Sequence, residues 1–164
     1  MRRQSTPKPP RSVIRATAAI FAIAGIHLLA LVLLVTHRDV ITAAVAAAHP
    51  GWPSSKIDAE GASRFLQSLL PHAILPVVFV LRGRRLLEGR RRTRLIVTFL
   101  LGVQLLAHAT LPLQLDRLPG YAGWLVAVQS VSLVFELGAL WLLWKPQESR
   151  TFFARKRTPV PTPA

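Results

Sequence analysis

Several polar side chains that could do chemistry lie inside long apolar stretches of this sequence. Polar groups in such surroundings are costly, so they are the first place to look for function. Three imidazoles could ligate Zn, Cu, Fe or Ni, or hold a haem axially, and a histidine together with a glutamate could relay protons. The candidates are His27, His72, Gln104, His108, Gln129 and Glu136.

The spacing of these residues predicts which of them share a helix face. Gln104 and His108 are four residues apart, and Gln129 and Glu136 are seven apart, so each pair lies on one face of a helix. If the two faces meet, a polar seam runs between the helices. Counting along each stretch, we expect Glu136 in its inner half, near the level of Thr98.

A simpler interpretation of the same residues is that they hold the helices together. Hydrogen bonds between membrane helices contribute only about 0.6 kcal/mol each on average. No two histidines have the i, i+4 spacing of metal ligands on one helix, and each apolar stretch contains at most one. We therefore expect no metal and no cofactor. Glu136 is the most informative single residue, because its carboxyl must be protonated, paired or hydrated.

Catalytic motifs are lacking from the sequence. There is no cysteine, which excludes disulfides, thiolate metal sites and cysteine nucleophiles. No nucleotide-binding loop, nucleophile elbow, zinc-protease helix or paired-carboxylate motif is found. We predict that the protein is not an enzyme.

The elements that must position the polar residues are four apolar runs, at 16–36, 65–81, 95–113 and 121–144. Of the 164 residues, 51% are hydrophobic and only 17% are charged, against about 25% charged in soluble domains. The first run has no charged residue, and at about 1.5 Å per residue it reaches across a bilayer core. The pattern predicts an all-α, polytopic membrane protein, an antiparallel four-transmembrane-helix bundle.

Two of the runs have another interpretation. The first could be a secretory signal peptide, but it is longer than a 7–15 residue apolar core and three more runs follow. The second contains Pro71 and Pro76 and could be a re-entrant segment. We predict a retained anchor for the first run and a kinked helix, packed against protein, for the second.

Basic residues between the runs predict the orientation. With cytoplasmic termini, the arm 1–15, the loop 82–94 and the tail 145–164 contain seventeen Lys and Arg, and the outer loop 37–64 and outer turn 114–120 contain four. Cytoplasmic loops carry the excess of Lys and Arg in membrane proteins. We therefore predict a multi-pass protein of the cell membrane with both termini inside. The arm and the tail are Pro-rich and are expected to be disordered.

The net charge of +14 indicates which partners are favoured. Each basic group near an anionic leaflet contributes about 1 kcal/mol, so the basic segments predict contact with anionic lipids of the inner leaflet. Phe152 and Phe153, beside several basic residues, suggest that the tail lies against that leaflet. A nucleic-acid partner is not expected, because the arginines cluster at the ends of apolar runs without a recognisable binding fold.

Several short motifs, together with the basic and Pro-rich N-terminal arm, resemble a group of uncharacterised actinobacterial four-span membrane proteins. The motifs are the outer loop DVITAAVAAAHPGWPSSKIDAEGASRF, the basic turn EGRRRTRLIVTFLL and the end LLWKPQESRTFFARKR. Such proteins often have Trp and Ala where this chain has Arg92 and Thr93. The resemblance covers nearly the whole chain and implies the same topology. The group has no established activity, so no catalytic residue is implied.

Three functions are compatible with these patterns. The first is a small accessory or scaffold protein that contacts lipids, further copies of itself or other membrane proteins. The second is a proton- or ion-coupled transporter subunit that uses Glu136 and the polar seam. The third is a haem- or metal-binding membrane protein that uses His27, His72 and His108. The lack of catalytic motifs and the three basic segments favour the first.

Overall fold

The described part of the chain is entirely helical. A computed structural model describes residues 8–115 and 122–154, with the side chains of 110–115 and 122–126 outside the description. The predictions that concern residues 1–7, 116–121 and 155–164 lie outside the described residues. Within the described part there are six helices and no strand: α1 Arg11–Thr36, α2 Arg38–Ala48, α3 Ser54–Leu86, α4 Arg91–Leu115, α5 Ala122–Trp144 and α6 Gln147–Ala154.

Three of the helices are long and apolar enough to cross a membrane. They are α1, α3 and the part Ala127–Trp144 of α5. This confirms the prediction of an all-helical chain with helices suited to a membrane. The run 95–113 lies in α4, whose described part is less apolar because it includes Arg91, Arg92 and Arg94 as well as Gln104 and His108.

Prolines mark the beginnings of α1 and α3. Pro10 and Pro53 have extended backbone conformations and directly precede the first helical residues. Proline is well suited to the start of a helix, because its missing N–H would have no helical partner there. The helix α1 therefore begins at Arg11, so residues 11–15 are helical and not part of the flexible arm that we expected.

The segment 37–64, which we predicted as an outer loop, is mostly helical. It contains α2 and the first turns of α3, and α2 packs along α3. Ile41 of α2 is buried against Leu34, next to Phe65. Gly61 allows this close approach, since a Cβ there would lie 2.8 Å from Oγ1 of Thr42. The Ala-rich segment is thus a helix folded onto the bundle.

The helix α3 continues through both of its internal prolines. Pro76 and Phe79 face the core, but Pro71 and several large apolar side chains of α3, such as Val77, are exposed. The helix packs against α1, α2 and α4 on one side, as the prediction of a helix packed against protein requires, and its other side is exposed. The exposed side is apolar and compatible with lipid, which needs no protein cover.

The four long helices pack in a ring. The helix α1 packs against α3 and α5, and α4 packs against the same two helices from the other side. The shared apolar core includes Ile20, Phe79, Leu101 and Leu143, all fully buried. Since α1 and α4 lie on opposite sides of the ring, a bond between them crosses its middle.

The C-terminal helix α6 closes one end of this core. Phe152 and Phe153 are only 6% and 2% exposed, and both belong to the main hydrophobic cluster. These are the two rings that suggested contact of the tail with the inner leaflet, and in the structure they pack against protein. The chain turns at Lys145 and Pro146, so that α6 folds back onto α1 and α4 and buries both rings within the protein.

Hydrogen bonds fasten α6 to the start of α1, an arrangement that we call the clasp. The Ser12 N–H donates to Oε1 of Glu148 at 3.0 Å, and the Ser12 and Ser149 hydroxyls lie 2.6 Å apart. The Ser149 hydroxyl also lies 2.8 Å from the carbonyl oxygen of Leu142. Glu148 thus satisfies an N–H at the start of α1 that has no partner within the helix.

A candidate functional site between four helices

Six polar side chains from all four long helices meet in the middle of the bundle. We call this group the polar layer, and each long helix contributes at least one member to it. Five of the six candidates from the sequence belong to it, and the sixth member is a serine on the same face as Glu136. The members are His27, His72, Gln104, His108, Ser132 and Glu136.

Consecutive contacts join five members into one chain. The Nδ1 atoms of His27 and His72 lie 2.8 Å apart, and Nε2 of Gln104 lies 2.8 Å from Nε2 of His27. The same Gln104 nitrogen lies 3.4 Å from Oγ of Ser132, whose hydroxyl donates to Oε1 of Glu136 at 2.7 Å. The His27–Gln104 bond crosses the ring from α1 to α4.

The donors and acceptors of this chain fit a single set of tautomers. If the Gln104 amide donates to Nε2 of His27, that nitrogen is an acceptor and His27 has its proton on Nδ1. His27 then donates to Nδ1 of His72, whose own proton lies on Nε2. With this set each of the four contacts has one donor and one acceptor, and both imidazoles are neutral.

Glu136 is fully buried and paired with a histidine. Its Oε2 lies 3.1 Å from Nδ1 of His108, at an angle outside the range of a hydrogen bond. The His108 side chain is 11% exposed and that of Glu136 is 0% exposed. A carboxyl in this position is neutral or forms a pair with His108, because an isolated charge there would be very costly.

The level of Glu136 differs from our expectation. It lies beside His108 and not beside Thr98, whose hydroxyl instead accepts a hydrogen bond of 2.8 Å from Nε1 of Trp144. Relative to this expectation, the helix α5 is thus displaced along its axis towards the end of α4. Residue counting missed this displacement, because it assumed that both helices end at the same level.

The histidines of the polar layer contact one another or other polar side chains of the layer. Within the described residues, no group of three or more His, Asp or Glu side chains is arranged to hold a metal ion. Two axial nitrogens on one iron would be about 4 Å apart, at about 2 Å each, whereas the Nδ1 atoms of His27 and His72 are 2.8 Å apart. Their geometry is that of a hydrogen bond.

One candidate lies apart from the layer and one polar residue was missed. Gln129 is half-buried and is joined to none of the six side chains.

Arg94, which we had counted with the basic loop, is only 7% exposed and its Cζ lies 3.5 Å from the centre of the Trp144 ring. The only sequence signal for it is its place directly before an apolar run, which many exposed arginines share.

No protein family model, curated protein or solved structure matches this chain. The functional argument therefore depends on the geometry of the chain itself.

Proposed function

We propose that this protein is a four-span integral membrane protein of the cell membrane, with both termini inside, that acts as an accessory or scaffold protein. Three membrane-compatible helices and the apolar run in α4 support the four spans. The seventeen to four distribution of Lys and Arg supports the orientation. The resemblance to four-span actinobacterial proteins is part of this proposal.

The observation that carries the scaffold role is the contrast between interior and surface. The polar side chains of the interior bond to one another, so they stabilise the bundle. The outward faces of the helices are apolar, with exposed Phe99, Leu106 and Val134. What remains for contacts with other molecules is this apolar surface, together with the basic segments at the cytoplasmic end.

Cysteine labelling tests the topology directly, because the chain has no cysteine of its own. A membrane-impermeant maleimide should label Ser55→Cys and Arg117→Cys in intact cells. It should label Arg92→Cys and Thr158→Cys only after the cells are lysed. Labelling of Thr158→Cys in intact cells would contradict four spans with internal termini.

Crosslinking in native membranes tests the scaffold role. A photoreactive amino acid at Phe99 or Val134, both 69% exposed, should give a reproducible adduct with a second copy or with one membrane protein. The matched control is Leu101, which lies on the same helix as Phe99 and is fully buried. If the exposed and buried positions give the same adducts, or none, the scaffold role is wrong.

A second candidate function is a proton-coupled transporter subunit. It is favoured by Glu136, a fully buried carboxyl between His108 and Ser132, two side chains able to exchange a proton with it. Proton flux is measured in proteoliposomes with an internal pH-sensitive dye. For a transporter we expect Glu136→Gln to lower the flux at least tenfold, and Glu60→Gln, at an exposed carboxyl paired with Arg64, to leave it unchanged. Equal flux in both variants and the parent excludes this function.

A further inference from the structure

An open groove lies at the end of the bundle where α4 begins and α5 ends. Its volume is about 900 Å³, and α6 forms its third side. Three arginines line it, Arg91 and Arg94 from α4 and Arg150 from α6. Trp144 and Phe153 provide its aromatic walls. We call it the arginine groove.

Arg94 is the buried arginine of this groove and has no anionic partner among the described residues. It is 7% exposed, and its Nε forms no hydrogen bond within the described part of the protein. Its guanidinium is held between the rings of Trp144, at 3.5 Å, and Phe153, at 5.3 Å. Buried arginines normally pair with a carboxylate or phosphate, so a rigidly held guanidinium with a free donor indicates a missing anion.

In the part of the chain that the structure describes, the surroundings of Arg94 add positive charge and no carboxylate is paired with it. The charges that act on it are those of Arg150 and Arg91. Glu88 is paired with Arg90 at 2.6 Å, and Glu148 accepts the N–H of Ser12 in the clasp. Three positive groups are therefore close together, an arrangement that is favourable only when an anion lies between them.

The start of α4 strengthens this positive potential. The first turn of α4 contains no acidic residue, and the N–H groups at a helix start carry a partial positive charge. Helix starts of this kind bind phosphate and other anions. Arg91 and Arg94 both lie in this turn, so the helix end and the guanidinium groups act on the same region.

We infer that the arginine groove binds the phosphate of an anionic phospholipid headgroup, with Arg94 as the central contact and Arg91 and Arg150 at the rim. The inference rests on the proposed function, which puts this end of the bundle at the inner leaflet. A lipid is favoured over a soluble phosphate because exposed apolar side chains adjoin the groove. Leu95 is 48% and Trp144 40% exposed, and they offer a surface to the acyl chains.

Native mass spectrometry of the full chain, released from nanodiscs or detergent, tests the inference. The probe is phosphatidylglycerol, titrated against phosphatidylcholine as the neutral lipid. We expect Arg94→Gln to weaken phosphatidylglycerol binding about tenfold, because a charge-assisted hydrogen bond is lost. The matched control is Arg92→Gln, which removes the same charge from the same turn at an exposed position outside the groove.

Two further measurements keep the test decisive if Arg94→Gln is unstable. Arg150→Gln changes an exposed residue of the groove rim, and it should weaken phosphatidylglycerol binding while leaving the thermal unfolding temperature unchanged. Inorganic phosphate at millimolar concentration should not displace the lipid. Equal lipid affinity in the Arg150 and Arg92 variants overturns the inference, as does displacement by phosphate, which would indicate a site for soluble phosphate.

Failure of this inference is separate from failure of the proposed topology. If the Arg94 and Arg92 variants bind phosphatidylglycerol with equal affinity, the lipid site is wrong. Cysteine labelling still reports the orientation in that case. Arg94-dependent binding of phosphatidylglycerol, combined with labelling of Thr158→Cys in intact cells, would support the lipid site but would place it at the outer leaflet.

Discussion

The polar layer and the arginine groove both place polar groups among apolar ones, but they differ in how those groups are paired. In the layer, contacts join the side chains of four helices from His72 to Glu136, although Oε1 of Gln104, Nδ1 of His108 and Oε2 of Glu136 form no hydrogen bond within the described residues. In the groove, Arg94 is buried between aromatic rings and its Nε has no partner within the described residues. The difference lies in the balance of charge: the layer places the Glu136 carboxyl beside His108, whereas the groove brings together three arginines and therefore favours an anion from outside.

The largest expected effect comes from breaking a pair in the polar layer. His108→Leu removes the partner of Glu136 and leaves a fully buried carboxyl with only the Ser132 hydroxyl. Removing one member of a buried pair typically costs about 3 kcal/mol or more. We expect a loss of this size in the free energy of unfolding, measured by titration with sodium dodecyl sulfate in mixed micelles.

The double variant His108→Leu with Glu136→Leu sharpens this prediction. Replacing both members of a buried pair by apolar side chains is often nearly neutral. We expect its stability to return to within about 1 kcal/mol of the parent. If the double variant loses as much stability as the two single variants together, the pair contributes nothing and the carboxyl has another role in the bundle.

A smaller effect is expected from a substitution in the turn between α3 and α4. Gly89 has a φ of +70°, and a Cβ there would lie 3.2 Å from the Phe152 ring. Gly89→Ala should lower the free energy of unfolding by about 1–2 kcal/mol, because alanine is strained at positive φ. The same micelle titration measures it.

Gly102→Ala is the matched control for this substitution. Gly102 lies within α4, and a Cβ there would have no neighbour within 4 Å. Its replacement should leave stability unchanged or raise it slightly, since alanine favours helix. Equal losses of stability at Gly89 and Gly102 would show that neither the positive φ of Gly89 nor its contact with Phe152 of α6 is the cause.

The smallest effect concerns the pH dependence of the clasp. The hydroxyl and the N–H of Ser12 hold the pKa of Glu148 below its ordinary value of 4.5. A carboxyl whose pKa is lowered in the folded protein stabilises the folded contact at any pH above its ordinary pKa. That contribution is lost as the pH falls through the pKa that the carboxyl has in the folded protein. The clasp should therefore be closed at pH 7 and loosen below about pH 4.5.

Spin labels on Ile14→Cys and Thr151→Cys, both at exposed positions, report this opening by double electron–electron resonance. We expect a single short distance at pH 7 and an added longer component at pH 4. With Glu148→Gln the longer component should appear at both pH values. A distance distribution in Glu148→Gln that matches the parent at every pH would contradict the role of Glu148.

Much of the fold was accessible from the sequence because apolar runs and helical spacing act locally. The i, i+4 spacing of Gln104 and His108 placed them on one face, and both belong to the polar layer. The displacement of α5 was not accessible, because it depends on a tertiary contact between Trp144 and Thr98. The pairing of His27 with His72 also depends on helix rotation, which no local spacing encodes.

Residues at the ends of the helices were harder to interpret than those in the middle. Composition indicated a basic tail against lipid, yet Phe152 and Phe153 are buried in the core. Arg94 resembles its exposed neighbour Arg92 in sequence, and its contacts with Trp144 of α5 and Phe153 of α6 distinguish the two. Tertiary contacts decide such positions, so a single sequence gives no signal for them.

The clasp has a consequence for biosynthesis. Ser12 and Ser149 are 137 residues apart, and α1 packs against α5, the last of the four long helices. In a four-span protein of the proposed kind, the first helix would enter the bilayer before its later partner is made, with His27 not yet bonded to Gln104. A chain truncated before α6 would lack Phe152 and Phe153 and leave this end of the core uncovered.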